Sequence, residues 1–284
     1  MILVTGAKGQ LGSDVSAELT KRSIPHIPTD ADTLDITDKA AVEKFFSDNK
    51  ISSVIHCAAY TAVDKAESEE ELCFKINAEG TENLAEASAK SNAKMLYVST
   101  DYVFQGDGEK PFEVYDKKNP QNIYGKSKLL GEEAVKKHSD KYFIVRTSWV
   151  FGEKNTNFIH TMLRLSETRD EVSVVCDQIG SPTYTYDLAR LLVDMIQTDK
   201  YGRYHATNEG LCSWYEFAVE IFKQAGMDEV KVTPVTTAEY TAMYPNQAKR
   251  PMNSRISKEK LSENGFERLP SWQDALGRYL KEIQ

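Results

Sequence analysis

Short β-branched apolar runs recur along this chain with helix-length intervals between them, and that alternation constrains the fold more than any other feature. The runs are Ile2–Thr5, Ile24–Pro28, Val54–Cys57, Met95–Ser99, Phe143–Thr147 and Val172–Cys176. The intervals have helical spacing: Leu11, Val15 and Leu19 share one face, as do Ala41, Phe45 and Phe46. Asn77–Ser91 is rich in alanine and glutamate, and Leu129, Ala134 and Val135 extend another amphipathic stretch. Strands alternating with helices of this length build βαβ units, whose parallel sheet is covered on both faces. The expected class is α/β, with a doubly wound parallel sheet.

After about residue 150 the pattern loosens. Helices are expected over Phe158–Ser166, Tyr186–Thr198, Ser213–Ala225 and Ser271–Ile283, between loops carrying Gly180-Ser181-Pro182, Tyr244-Pro245 and Arg250-Pro251. We read residues 1–150 as a nucleotide-binding core and residues 151–284 mainly as a smaller, loop-rich substrate-binding lobe, with some segments returning to the core. No glycine- or serine-rich linker marks the join, so one continuous core is expected.

Composition narrows the class further. The chain has 284 residues and a net charge of −8, which gives no broad electrostatic footprint for nucleic acid. No run of about 18 apolar residues is present, so no membrane span is expected. Cys57, Cys73, Cys176 and Cys212 form no C-x-x-C pair, and the five histidines show no metal-ligand spacing. No metal site is expected. The chain opens directly on an apolar run, without a basic, apolar leader, and a cytoplasmic location is expected. A homodimer is the expected assembly only because homodimers are the commonest oligomers.

Gly6-Ala7-Lys8-Gly9-Gln10-Leu11-Gly12 follows the first expected strand and opens the first helix. Glycines permit a tight turn and close backbone approach, and a helix N-terminus presents N–H groups and a positive dipole end to a pyrophosphate. The loop therefore points to a Rossmann-type dinucleotide site. Asp30 lies 18 residues beyond Gly12, near the end of the second expected strand, where a carboxylate bonds adenosine ribose hydroxyls and disfavours a 2′-phosphate. Asp30 leans towards NADH, and Lys8 partly offsets that preference. NADPH and NADH both stay open.

Tyr124-Gly125-Lys126-Ser127-Lys128 carries the sharpest chemical signal. Residues at i and i+4 share a helix face, so Tyr124 and Lys128 can act on one ligand. A free phenol has a pKa near 10, and a neighbouring ammonium is expected to lower it towards the operating range. Lys128 can also hold the nicotinamide ribose. Thr100, at the end of the fourth expected strand, supplies a hydroxyl to orient a substrate carbonyl. Trp149 follows the fifth strand, on the side where open α/β sheets bind ligands. Arg250 is a candidate diphosphate contact, because arginine matches phosphate oxygens bidentately. Glu67, Glu69, Glu70 and Glu71 read as a solvated helix start.

The Gly6-x-x-Gly9-x-x-Gly12 loop, Thr100 and Tyr124-x-x-x-Lys128 together resemble the extended short-chain dehydrogenase/reductase superfamily. The segments Ala58–Glu67, Ser99–Phe104, Arg146–Gly152, Arg250-Pro251 and Asn253–Arg255 narrow the resemblance to its dTDP-4-dehydrorhamnose reductase family. That resemblance implies reduction of the C4 ketone of dTDP-6-deoxy-L-lyxo-4-hexulose, with Tyr124 as the acid, Lys128 as its activator and Thr100 as the hydroxyl partner. Gly6, Gly9, Gln10, Leu11 and Gly12 would hold the dinucleotide. Asp30, Asp35, Ile36, Ala59, Tyr60, Thr61 and Val98 would line the rest of its site, with Tyr124 and Lys128. Val63, Thr100, Asp101, Tyr102, Trp149 and Arg250 would meet the nucleotide sugar.

Two other readings stay open. A nucleotide-sugar epimerase or dehydratase of the superfamily keeps the same loop and Tyr/Lys pair. The known dehydratases place Asp-Glu after the threonine, where this chain has Asp101-Tyr102, and that disfavours dehydration. A non-catalytic, cofactor-binding regulatory subunit is the other alternative.

Overall fold

The computed structural model describes residues 1–283. Its centre is a six-stranded sheet, in which β1 (Ile2–Thr5), β2 (His26–Thr29), β3 (Ser53–His56), β4 (Lys94–Thr100) and β5 (Tyr142–Thr147) match the first five expected strands. Between them run α1 (Gln10–Lys21), α2 (Lys39–Asn49), the short α3 (Val63–Ala66) and α4 (Glu70–Phe74), α5 (Thr81–Lys90) and α6 (Ile123–His138). The spatial order is β2, β1, β3, β4, β5 and then a later strand, with every neighbour parallel. This is the doubly wound Rossmann-type sheet that the alternation predicts.

Strand parity explains why these segments read as unbroken apolar runs. Ile2, Val4, Ile55, Leu96, Phe143 and Val145 pack on one face of the sheet with α1, while Leu3, Val54, Met95, Tyr97 and Ile144 pack on the other with α2 and α5. A strand buried on both faces needs apolar residues at odd and even positions alike.

The sixth strand is a correction. Val172–Cys176 does not join the central sheet: the strand there, β7 (Glu171–Val175), pairs in parallel with β12 (Lys231–Val235) in the lobe. The central sheet is completed by β10 (Gly202–His205), which lies beside β5. Its sequence, Gly-Arg-Tyr-His, carries one strongly apolar side chain, so periodicity does not reveal it. Four two-residue strands, β6 (Val150–Phe151), β8 (Ile179–Gly180), β9 (Thr183–Tyr184) and β11 (Cys212–Ser213), tie the lobe together in pairs.

The remaining helices are α7 (Phe158–Ser166), α8 (Thr185–Ile196), α9 (Trp214–Gln224), α10 (Thr237–Met243), α11 (Glu259–Glu263) and α12 (Trp272–Ile283). Helix α8 buries Leu188, Leu191, Leu192 and Met195 with Val15 and Leu19 of α1 on one face of the sheet. Phe151, Ile159, Phe217, Trp272 and Tyr279 belong to a separate apolar cluster under the lobe, rich in aromatic rings. The buried apolar side chains thus form a layer on each sheet face, the group under the lobe and two smaller groups, one around Cys73 and Ile123 and one around Phe104 and Ile256. Among the described residues no helix is long and apolar enough to cross a membrane.

Candidate active site

All the central strands point their carboxyl ends towards one cleft, where open α/β sheets place ligands. The cleft holds a cavity of about 1110 Å³ that runs from the glycine loop to Trp149. Its walls include Gly6, Gly9, Gln10, Leu11, Gly12, Asp30, Asp35, Ile36, Ala59, Thr61, Val63 and Val98. Thr100, Asp101, Tyr102, Tyr124, Lys128 and Trp149 line its other end. Tyr60 and Arg250 lie outside this lining. The backbone of Tyr60 is held by Asn77, at 2.8 Å through its N–H and 3.0 Å through its carbonyl, while its hydroxyl donates to Glu69.

The glycine loop is shaped as a cradle. Gly6 has φ +67°, a region that favours glycine. A Cβ on Gly12 would lie 2.1 Å from the Gly6 carbonyl oxygen, so only glycine lets α1 start this close to the turn. Gly9 caps α1 without a side-chain bond to the helix, and the buried Gln10 Oε1 has no protein partner. An uncapped helix start in a wide cleft presents free N–H groups that suit a pyrophosphate. Asp30 already accepts from the Lys8 and Ala31 backbone N–H groups, each at 2.9 Å, and Lys8 Nζ pairs with Asp32 at 2.5 Å. The charge on Lys8 is therefore engaged by Asp32, and Asp30 is fixed at the cavity wall.

The opposite end is made of side chains, with Thr100, Asp101 and Lys128 buried and Tyr102, Tyr124 and Trp149 half-buried. Asn122 caps α6 by accepting from the Gly125 N–H at 2.7 Å, which sets the helix carrying Tyr124 and Lys128. Gly125 cannot bear a Cβ, because the Tyr102 carbonyl oxygen would be 2.4 Å away. Burial pushes the Tyr124 phenol above its ordinary range, the charge of Asp101 adds to this, and the Thr100 hydroxyl opposes it. Burial here outweighs the lowering of the phenol pKa expected from the Tyr/Lys spacing. Lys128 does not offset burial there, since its ammonium lies over the Tyr97 ring, 4.1 Å from the centroid. Lys128 is only 3% exposed, and burial lowers it to about 7.

Asp101 is also buried, and desolvation raises its carboxyl to about 6. Its Oδ1 accepts from the Thr100 hydroxyl at 3.0 Å, and its Oδ2 has no partner. An unsatisfied buried carboxyl oxygen at a cavity wall is costly unless a ligand meets it. Trp149 takes φ +50°, a strained conformation for a bulky residue, and stacks on Trp214 at 3.7 Å between centroids. Its ring closes this end of the cleft.

Several contributors escape a reading of the sequence. Glu67 is not merely solvated: its Oε1 accepts from the Ile123 N–H at 2.8 Å, beside the start of α6. Arg250 forks onto Asp64, with Nη1 at 2.9 Å and Nη2 at 2.8 Å from its two oxygens. Asn77 sits in a π-helical turn, Lys75–Gly80, inside the stretch read as one continuous helix. Its wider turn lets the Asn77 side chain reach both Tyr60 and the Ser127 hydroxyl, the latter at 3.0 Å. Asn155 and Thr156 join the cavity wall from a loop that shows no motif. All four cysteines are free thiols, and burial pushes Cys57 up to about 12. Among the described residues no group of three or more His, Cys, Asp or Glu side chains could hold a metal.

Comparison with known proteins shows the family of this chain. The family described as RmlD substrate binding domain matches residues 1–284. The spore coat polysaccharide biosynthesis protein SpsK of Bacillus subtilis is 41% identical over 281 residues, covering 99% of this chain and 97% of SpsK. A solved dTDP-4-dehydrorhamnose reductase from Clostridium acetobutylicum superposes with a TM-score of 0.95 at 47% identity, covering 100% of this chain and 99% of that one. The Bacillus anthracis dTDP-4-dehydrorhamnose reductase, solved in complex with NADP, gives 0.94 at 46% identity, covering 99% and 98%. With its whole length matched and its fold superposed, this chain belongs to the RmlD family, whose members compared above include dTDP-4-dehydrorhamnose reductases.

Proposed function

We propose that this protein is an NAD(P)H-dependent oxidoreductase that reduces the C4 ketone of dTDP-4-dehydro-L-rhamnose to dTDP-L-rhamnose, a precursor for cell-surface polysaccharide. One observation carries the reading: Thr100, Tyr124 and Lys128 meet on the wall of the same cavity that begins at the glycine loop. The names of the relatives supply the substrate, and the NADP-bound relative supports NADPH as one acceptable cofactor. The free cysteines and the sugar-nucleotide chemistry fit a cytoplasmic setting.

Residues 1–150 would supply the cofactor half and residues 151–284 mainly the nucleotide-sugar half, with α8 and β10 returned to the sheet. Gly6, Gly9, Gln10, Leu11 and Gly12 would hold the dinucleotide pyrophosphate, and Asp30, Asp35, Ile36, Ala59, Thr61 and Val98 would flank its remainder. A reduced nicotinamide bound there supplies the hydride. The Tyr124 hydroxyl donates a proton to the C4 oxygen, and Thr100 would donate a hydrogen bond to the same atom by turning its hydroxyl away from Asp101 Oδ1. A raised phenol pKa suits that task, because it keeps the proton in place until charge develops on the substrate oxygen. Lys128 would leave the Tyr97 ring to hold a ribose hydroxyl and stabilise the phenolate afterwards. Val63, Asp101, Tyr102 and Trp149 would border the sugar. Arg250 would meet the diphosphate only by exchanging Asp64 for phosphate oxygens.

The test is direct. Purified protein is mixed with dTDP-4-dehydro-L-rhamnose and either NADH or NADPH, and loss of nicotinamide absorbance is followed. Turnover with formation of dTDP-L-rhamnose is expected. Tight cofactor binding without turnover overturns the reading in favour of a non-catalytic subunit.

A further inference from the structure

Beneath the reacting groups lies a buried ion pair that the mechanism above does not use. Glu132 and Arg146 are 1% and 0% exposed. Arg146 donates from Nε to Glu132 Oε1 and from Nη2 to Oε2, both at 2.7 Å. Oε1 also accepts from the Ser99 hydroxyl at 2.6 Å. The far side of the guanidinium is equally engaged, with Nη1 donating to the Val114 carbonyl at 2.9 Å and facing His205 Nε2 at 3.2 Å. Burial holds His205 neutral, so Nε2 accepts from Arg146 while Nδ1–H donates to the Ser257 carbonyl at 3.0 Å.

Position gives this pair its meaning. Tyr124, Lys128 and Glu132 stand at i, i+4 and i+8 of α6, so they share one helix face. Ser99 immediately precedes Thr100 at the end of β4, and Arg146 lies three residues before Trp149 at the end of β5. A single carboxylate therefore joins the helix of two reacting groups to the strand of the third. Apolar side chains of similar volume would serve stability as well or better. They would not fix the rotation of α6 against β4, which directional hydrogen bonds do.

We propose that the Glu132–Arg146 pair, through Ser99, is a positioning device that holds Lys128 and Tyr124 in register with Thr100. The proposal rests on the reading of those three residues as the reacting groups. Glu132 also acts on Lys128 through its charge. The groups facing Lys128 are Tyr124 and Glu132 on its own helix, His56 and Cys57 at the end of β3, Cys73 of α4 and Tyr97 of β4. Burial keeps His56 neutral, at about 3, and Cys57 a thiol. Among the charges that oppose the burial of the Lys128 ammonium, that of Glu132 is the strongest.

The experiment uses three variants of the full chain, E132Q, R146K and S99A. The Lys128 amine is titrated by NMR of protein labelled at the lysine Cε carbon, with K128R for assignment, and steady-state kinetics are measured alongside. E132Q is expected to move the Lys128 titration to lower pH. R146K and S99A are expected to lower kcat roughly tenfold to a hundredfold, with KM for both substrates nearly unchanged. Folded E132Q with Lys128 titrating as in the wild type overturns the proposal, as does wild-type kcat in folded S99A. If E132Q does not fold, S99A decides by its kcat. If the wild-type protein does not reduce the sugar nucleotide, the proposed function fails by itself, while the NMR titration still reads the link between Glu132 and Lys128.

Discussion

At the glycine-loop end of the cleft the lining surface is backbone, whereas at the Tyr124 end it is buried and half-buried side chains whose ionisation is moved by their surroundings. The charged groups near the loop, Lys8 and Asp32, remain in solvent and pair with each other. Those at the other end, Lys128 and Asp101, are almost wholly buried, and desolvation is the largest cause of each shift. The difference fits the proposed tasks of the two ends. A pyrophosphate needs N–H groups and room, which glycine supplies; proton transfer needs groups whose charge state is poised, which burial supplies. The loop end should therefore be intolerant of added atoms and tolerant of altered charge, and the catalytic end the reverse.

Tyr124→Phe is the strongest probe of this contrast. Removing one oxygen is expected to lower turnover by about 10²–10⁴, while the Kd for NAD(P)H, measured by fluorescence, barely changes. A fully active variant would remove Tyr124 from the role of acid. Gly12→Ala tests the opposite end with a single methyl group. A Cβ 2.1 Å from the Gly6 carbonyl oxygen forces α1 away from the turn. Calorimetry should show a loss of about 1–3 kcal/mol, together with weaker cofactor binding. Normal binding and stability would mean that the close approach is unimportant.

Asp101→Asn should separate function from stability. The folded-state pKa of Asp101, about 6, lies above its ordinary value of 3.8. Below the ordinary value both folded and unfolded chains hold the proton, and no penalty exists. As pH rises the unfolded chain ionises first, so stability falls until the folded carboxyl also ionises. Relief of about 2–3 kcal/mol is expected from the asparagine above pH 6. None is expected near the acidic limit, and turnover should drop. Tm measured across this pH range checks the sign; a constant difference would refute the buried ionisation. Lys8→Ala should have the smallest effect, leaving Tm unchanged and shifting the kcat/KM ratio of NADPH to NADH towards NADH.

The helix and strand rhythm of residues 2–147 is legible because strands buried on both faces impose long apolar runs. Tyr124 and Lys128 are legible because one helical turn brings them together whatever surrounds them. Strand β10 was hidden, since Gly202-Arg203-Tyr204-His205 gains its place from pairing with β5 and not from its own hydrophobicity. Val172–Cys176 misled for the complementary reason: an apolar run announces a strand without naming its partner. The Asp64–Arg250 fork joins residues 186 apart, and no local spacing encodes such a contact. Arg250 read as a free cation for phosphate, yet it is already paired in the folded chain.

The sequence by itself determined the α/β rhythm, the glycine cradle and the Tyr124/Lys128 face, because each depends on interactions within a few residues. Tertiary structure alone decided the ionisation of that face. Desolvation is set by every element packed around a group, and here it raises Tyr124 where the neighbouring lysine alone would have lowered it.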